Sequence, residues 1–190
     1  MKIFLISDNH FDALDYPDFR AVFPRKEFKN SREMNDTMIH RWNSIVSEED
    51  LVISVGDFCW IDPRPWLDKL KGHKIMIRGN HDNQNNHDNL CKGYAAYSGD
   101  WYMMLEYKKM RFYITHDPAY VPRDWKDWVI HGHHHNPVQK NGDLTPYING
   151  PKKNINVACE LVNYTPVWID DIINMKNLET TVMMTRENAI

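Results

Sequence analysis

The sequence predicts an α/β protein, a sandwich of mixed β-sheets flanked by helices. Short apolar runs of strand length recur from end to end, each stopped by a polar or glycine-containing cluster. In the first half these runs alternate with helical segments; in the second half they come in neighbouring pairs. No shift in composition divides the 190 residues, so residues 1–176 read as a single domain followed by a polar tail, 177–190.

The elements follow in order. Lys2–Ser7 is an apolar run ended by Asp8 and reads as a buried strand. Over Ser31–Val46, Ile39, Trp42, Ile45 and Val46 recur at helical spacing, and Asn30 with Glu33 resembles a capping box at the start. Leu51–Val55 is a second buried strand. Pro63 and Pro65 open a short helix over Trp66–Lys71, with Gly72 as its C-cap. Lys74–Arg78 is a third strand and Asn83–Asn89 a polar loop. Trp101–Glu106 and Arg111–Thr115 pair across a turn at Lys108 and Lys109. Trp128–His131 is another strand, and residues 136–151 are rich in Gly, Pro and Asn. Strands follow near Asn154–Cys159 and Pro166–Ile169, then a helix over Asp170–Met175 and a final dozen residues without a clear period.

With 42% apolar and 26% charged residues, the chain has the composition of an ordinary globular protein. A net charge of −3 offers no global attraction to nucleic acid, so a nucleic-acid partner is not favoured. Cys59, Cys91 and Cys159 are too few and too widely spaced for a disulfide framework or a CxxC zinc site and read as free thiols. The opening MKIFLIS is too short for a signal peptide or a membrane span, so the expected location is cytoplasmic. Five of the ten histidines fall between His116 and His135, which calls for a local cause.

That cause is a pattern repeated five times, in which an apolar strand ends and metal-ligand residue types follow at once. KIFLIS leads to Asp8-Asn9-His10, LVISV to Gly56-Asp57, and KIMIR to Gly79-Asn80-His81-Asp82. RFYIT leads to His116-Asp117, and WVIH to Gly132-His133-His134-His135. Ligand sites in α/β sheets form outside the C-terminal ends of strands, so five such ends converge if their strands are neighbours. Asp8 with His10, and His133 with His135, are two residues apart. In extended chain such residues point the same way, which would let each pair grip one metal or adjacent metals. Glycine before a ligand permits a tight turn and close backbone approach. Mixed carboxylate, amide and imidazole donors suit Mn, Fe or Zn better than Ca or Mg. His40, His73, His87 and His131 read as ordinary structural or surface histidines. Trp60 is either core or pocket wall.

The series D-x-H, GD, GNHD, H, GHxH, spanning Asp8 to His135 in that order, resembles the calcineurin-like metallophosphoesterase superfamily. NVACELVNYTPV is similar to the closing strands of its small bacterial and phage members. The resemblance implies a metallophosphoesterase-like sandwich with a binuclear centre of two divalent transition-metal ions. Asp8, His10 and His135 would hold one metal; Asn80, His116 and His133 the other; Asp57 would bridge them. His81, not a ligand, would stand over the phosphate as acid catalyst or charge stabiliser. Asp82 would either orient its imidazole or be a plain loop carboxylate. His134 should point away from the metals. Arg78 would add a hydrogen bond to the phosphate. The implied reaction is hydrolysis of a small phosphorylated substrate by a hydroxide shared between metals roughly 3.5–4 Å apart. A phosphodiester is favoured, because two divalent ions, Asp8, Asp57 and one hydroxide leave a single positive charge, which a monoanionic diester neutralises. An arginine from Arg20, Arg25 or Arg123 folding over the site would shift that balance. The alternatives are a phosphomonoesterase or small nuclease of the same superfamily, and a scaffold that has lost catalysis.

Overall fold

The computed structural model describes residues 1–22, 25–82, 100–135, 147–174 and 181–182. Two sheets form. The first has the order β3-β2-β1-β9 and the second β10-β7-β8-β6-β5-β4. In the first, β1 (Ile3–Ile6), β2 (Leu51–Val55) and β3 (His73–Ile77) run parallel, while β9 (Val167–Trp168) lies antiparallel on the other side of β1. β2 is apolar at almost every position because it is flanked by a parallel neighbour on each side. In the second, β5 (Met110–Thr115), β6 (Trp128–His131) and β8 (Asn154–Asn156) run parallel. β4 (Tyr102–Tyr107) is its antiparallel edge, with exposed and half-buried residues alternating along it. At the β4–β5 turn Lys108 and Lys109 both have positive φ, 49° and 67°, the twist that suits a two-residue hairpin.

The sheets are joined at the end of β1. Ser7 forms a parallel bridge with Ala158, donating its N–H to the Val157 carbonyl at 2.9 Å and accepting the Cys159 N–H at 2.9 Å. That join makes β3, β2, β1, β8, β6 and β5 run the same way, so their C-terminal ends share one rim of the molecule. One apolar cluster underlies both sheets: Phe4, Leu5 and Ile53 of the first, Phe112, Ile130 and Ile155 of the second, with Met34, Met38 and Trp42 of α2.

α2 (Ser31–Ile45) starts as expected: the Asn30 side chain accepts the Glu33 N–H at 2.9 Å. Glu33 returns one residue earlier than a strict capping box, accepting from the Lys29 N–H at 2.8 Å. α3 is a single turn, Arg64–Leu67, set earlier than Trp66–Lys71 because Pro63 and Pro65 fit its first positions. α4 is Ile169–Asn174.

Three elements depart from the sequence reading. Pro17–Val22 forms a helix, α1, in a stretch to which the sequence reading assigned no element. β7 (Ile148–Asn149) lies in the Gly/Pro/Asn-rich stretch, and β10 (Thr181–Val182), within the expected tail, pairs with it. Two-residue strands carry no period to detect. Asn83–Asn89, His87 and Cys91 lie outside the described residues. Among the described residues no helix is long and apolar enough to cross a membrane.

Candidate metal centre

Five of the six parallel strands deliver the expected ligands to the shared rim. β1 is followed by Asp8 and His10, β2 by Asp57, β3 by Asn80, β5 by His116, and β6 by His133 and His135. The local geometry is not the extended chain that the two-residue spacing suggested. Asp8, His10, Asp57 and His133 have φ of 58°, 48°, 53° and 64°, in the left-handed region. Each strand breaks sharply at its ligand, and the turns are held by backbone bonds from Asp8 N to Gly56 O and His10 N to Asp57 O, both 3.0 Å. Non-glycine residues in this region are strained, and such strain concentrates at functional sites. Two glycines make the approach possible. A Cβ on Gly132 would stand 1.9 Å from Ser7 Oγ and 2.4 Å from Asp8 Oδ2; one on Gly79 would stand 2.1 Å from Asp57 Oδ1.

The ligand atoms converge in two overlapping groups. Asp8, His10 and His135 offer donor atoms all within 4.8 Å of one another, as do Asp8, Asp57 and His116. His135 Nε2 is 3.2 Å from Asp8 Oδ1, and His10 Nε2 and His116 Nε2 are 3.5 and 3.2 Å from Asp57 Oδ2. Asp8 is the member the two groups share; Asp57, expected to bridge, belongs to the second group and also approaches His10 of the first. Asn80 Oδ1 is 3.0 Å from His116 Nε2 and 2.9 Å from His133 Nδ1, which gathers the second expected set. Asp8, His10, Asp57, His116 and His135 are buried; Asn80 and His81 are exposed.

The donor set fits a metal. His10 is fully buried, yet neither ring nitrogen makes a hydrogen bond. Buried polar atoms are nearly always partnered, and an imidazole aimed unpartnered into a carboxylate cluster suits a cation. Burial pushes His10 down to about 3, so it stays neutral and keeps a free lone pair. Burial disfavours the charged forms of His116 and His135 too, but the Asp57 hydrogen bond and Asp8 raise His116 to about 9, and Glu160 and Asp8 raise His135 to about 10. Burial likewise opposes charge on Asp8, yet His135 and His116 hold its carboxyl well below the usual range. Without a metal, imidazolium protons supply the counter-charge; metal binding replaces them.

Around the ligands, His81 donates its backbone N–H to Asp57 Oδ1 at 2.8 Å and stacks its ring on Trp60, centroids 5.3 Å apart. Trp60, which also meets Tyr16 and Phe19, therefore walls the site. His134 is exposed and His131 is buried. Asp82 differs from the expected orienting role. Its carboxylate accepts the N–H groups of Asp57, Phe58 and Gly79 at 2.8, 3.1 and 2.8 Å, and makes no hydrogen bond to the His81 ring. It stitches the β2 and β3 loops together. Arg78 lies half-buried over the Trp101 ring, 4.7 Å from its centroid, with Nε 3.3 Å from the Asp82 carbonyl.

Two charged residues were missed. Glu160 follows the sixth parallel strand, β8, and its Oε1 is 2.8 Å from His135 Nδ1. Arg25, considered only as a residue folding over the site, lies beneath it. It is 4% exposed and donates to Asp8 O at 2.6 Å, Asn9 O at 2.8 Å and Glu160 Oε1 at 2.8 Å. Glu160 was legible by the rule already in use, an acidic residue just past a strand end; Arg25 had no such signal.

Comparison with known proteins agrees with this geometry. The family model of the calcineurin-like phosphoesterase superfamily domain matches residues 1–150. An uncharacterized protein of Methanocaldococcus jannaschii is 33% identical over 180 residues, covering 92% of this chain and 90% of that protein. The crystal structure of a protein of unknown function from Aquifex aeolicus superposes with a TM-score of 0.69 at 24% identity, covering 92% of this chain and 98% of that one. The ligands on the rim and the extent of these matches lead to one conclusion: the chain belongs to the calcineurin-like phosphoesterase superfamily, a family of metal-dependent hydrolases acting on phosphate esters.

Proposed function

We propose that the protein is a phosphodiesterase with a binuclear centre, holding one metal on Asp8, His10 and His135 and a second on Asn80, His116 and His133, with Asp57 between them. Mn, Fe or Zn match the mixed nitrogen and oxygen donors. When bound, such ions supply Lewis acidity, polarising phosphoryl oxygens and lowering the pKa of water.

The chain's own residues then divide the work. His81 stands at the exposed lip, its backbone fixed on Asp57 and its ring backed by Trp60, so its imidazole is available to hand a proton to the leaving oxygen. Arg78 contributes a cation at the β3 end for a phosphate oxygen. Asp82 fixes the loops that carry Asp57 and Asn80.

The observation that carries the diester preference is where the arginines go. Arg25 donates to the Asp8 and Asn9 carbonyls behind the candidate ligands, and Arg20 Nε donates to Leu14 O at 3.0 Å. Arg123 is exposed and makes no ion pair or hydrogen bond among the described residues. Of Arg20, Arg25, Arg78 and Arg123, that leaves Arg78, at the end of β3, as the one we assign to the phosphate. A dianionic monoester needs more compensation than a monoanionic diester in a partly desolvated site. The test is kcat/KM for bis(4-nitrophenyl) phosphate against 4-nitrophenyl phosphate in the same metal. The diester should be preferred; a monoester preference of about tenfold, or about 1.4 kcal/mol in the barrier, reverses the reading.

A further inference from the structure

We propose that Glu160, gripped by the buried Arg25 guanidinium, is a positioning residue of the metal centre: it fixes His135 as the tautomer with its proton on Nδ1 and its Nε2 lone pair facing the metal. This rests on the metal reading above and not on the choice of substrate.

A neutral imidazole binds a metal through one nitrogen, and the partner of the other nitrogen decides which one. The ligand histidines are served unequally. His116 Nδ1 faces the Val55 backbone carbonyl at 2.9 Å, and His10 has no hydrogen-bond partner at either nitrogen. All three have a carboxylate near Nε2, but only His135 has one at Nδ1, Glu160 Oε1 at 2.8 Å, while its Nε2 points to Asp8 Oδ1 at 3.2 Å. An ionised carboxylate accepts only, so the Nδ1 proton is held and Nε2 becomes a stronger donor to a metal.

A buried carboxylate is costly unless paired, and Arg25 supplies the pair. The same guanidinium holds the Asp8 and Asn9 carbonyls, on the left-handed turn that presents Asp8 and His10. Arg25 therefore ties the orientation of His135 to the placement of Asp8, residues 127 positions apart in the chain. Besides the Glu160 pair, two of the Arg25 bonds go to the carbonyls of the ligand turn and two to the sulfurs of Met34 and Cys159.

The test uses zinc binding without substrate. Glu160→Ala should weaken zinc affinity about 10- to 100-fold, the usual cost of removing a carboxylate behind a ligand histidine. Glu160→Gln, nearly isosteric, should lose several-fold; because it leaves the buried Arg25 guanidinium without its carboxylate, its affinity is measured at a temperature where circular dichroism shows it folded. In long-range 1H–15N spectra of the zinc-loaded parent, His135 should show a single species protonated on Nδ1; in Glu160→Ala that signature should broaden or split. Glu160→Asp should restore part of the affinity. If Glu160→Gln binds zinc within twofold of the parent and its His135 signature is unchanged, the proposal is overturned and the pair serves the fold alone. Should the parent itself take up no zinc, manganese or iron, it is the metal reading that fails.

Discussion

The two ends of the site are built to opposite standards. At one end Asp8 and His10 are fully buried and His135 is 4% exposed, with Arg25 and Glu160 packed behind them. At the other, Asn80 and His81 are exposed, and the His133 side chain retains 36% of its accessible surface. The contrast separates two tasks that a list of ligands runs together. Holding a cation firmly needs donors whose positions are fixed from behind. Admitting a substrate and passing a proton to its leaving group needs a side chain that reaches solvent. The closed end is suited to the first task and the open end to the second.

The largest expected effect tests the open end. His81→Ala should keep its metal content and lose about 10²–10⁴ in kcat, the range for an acid catalyst. The loss should shrink for leaving groups acidic enough to depart unprotonated. Metal analysis together with kinetics on an alkyl ester checks it, and unchanged turnover on that ester would break the division of labour.

A smaller effect sharpens the contrast between ligands. His10→Ala should weaken metal binding about ten times more than His133→Ala, a difference of about 1.4 kcal/mol. His10 is enclosed, whereas water can take the place of His133 at the rim. Competition against a chromophoric chelator measures both. Equal losses would mean that burial does not grade the two halves.

The smallest effect concerns the metal-free protein. Both His116 and His135 have folded-state values, about 9 and about 10, above the ordinary histidine value of 6.5. Their contribution to stability is fully present below 6.5 and lost as the pH rises through 9 and 10. The melting temperature of chelator-treated protein should fall between pH 6.5 and 10, and metal loading should flatten that slope. A rising profile in the metal-free form would contradict the assigned charges.

Much of this molecule is legible in its sequence. β1, β2, β3, β5 and β6 are apolar runs bounded by polar or glycine-containing turns, and buried parallel strands require such runs. The candidate ligand residues stood out because each lies just beyond a strand. Other features obey rules that a linear reading does not capture. PDFRAV is a helix of six residues, too short to display a period. The left-handed turns at Asp8, His10, Asp57 and His133 are imposed by contacts with other strands, so the spacing pointed to extended chain. Arg25 and Glu160 find each other across 135 residues, and a lone arginine in a loop carries no spacing that announces its partner. Asp82 was legible as a site residue, but its use on three backbone amides became visible only when the β2 and β3 loops were brought side by side.

The seam at Ser7 has a mechanical meaning. Asp8, His10, Asp57 and Asn80 hang from the first sheet, while His116, His133 and His135 hang from the second. Between the sheets, the backbone contacts around Ser7 and Ala158 form a narrow zip. Cations gripped from both sides would rivet that zip shut, so the sheets could not part without first releasing them. The centre that performs the chemistry would then also be a clasp, and how long the folded molecule survives would depend on how slowly its ions leave.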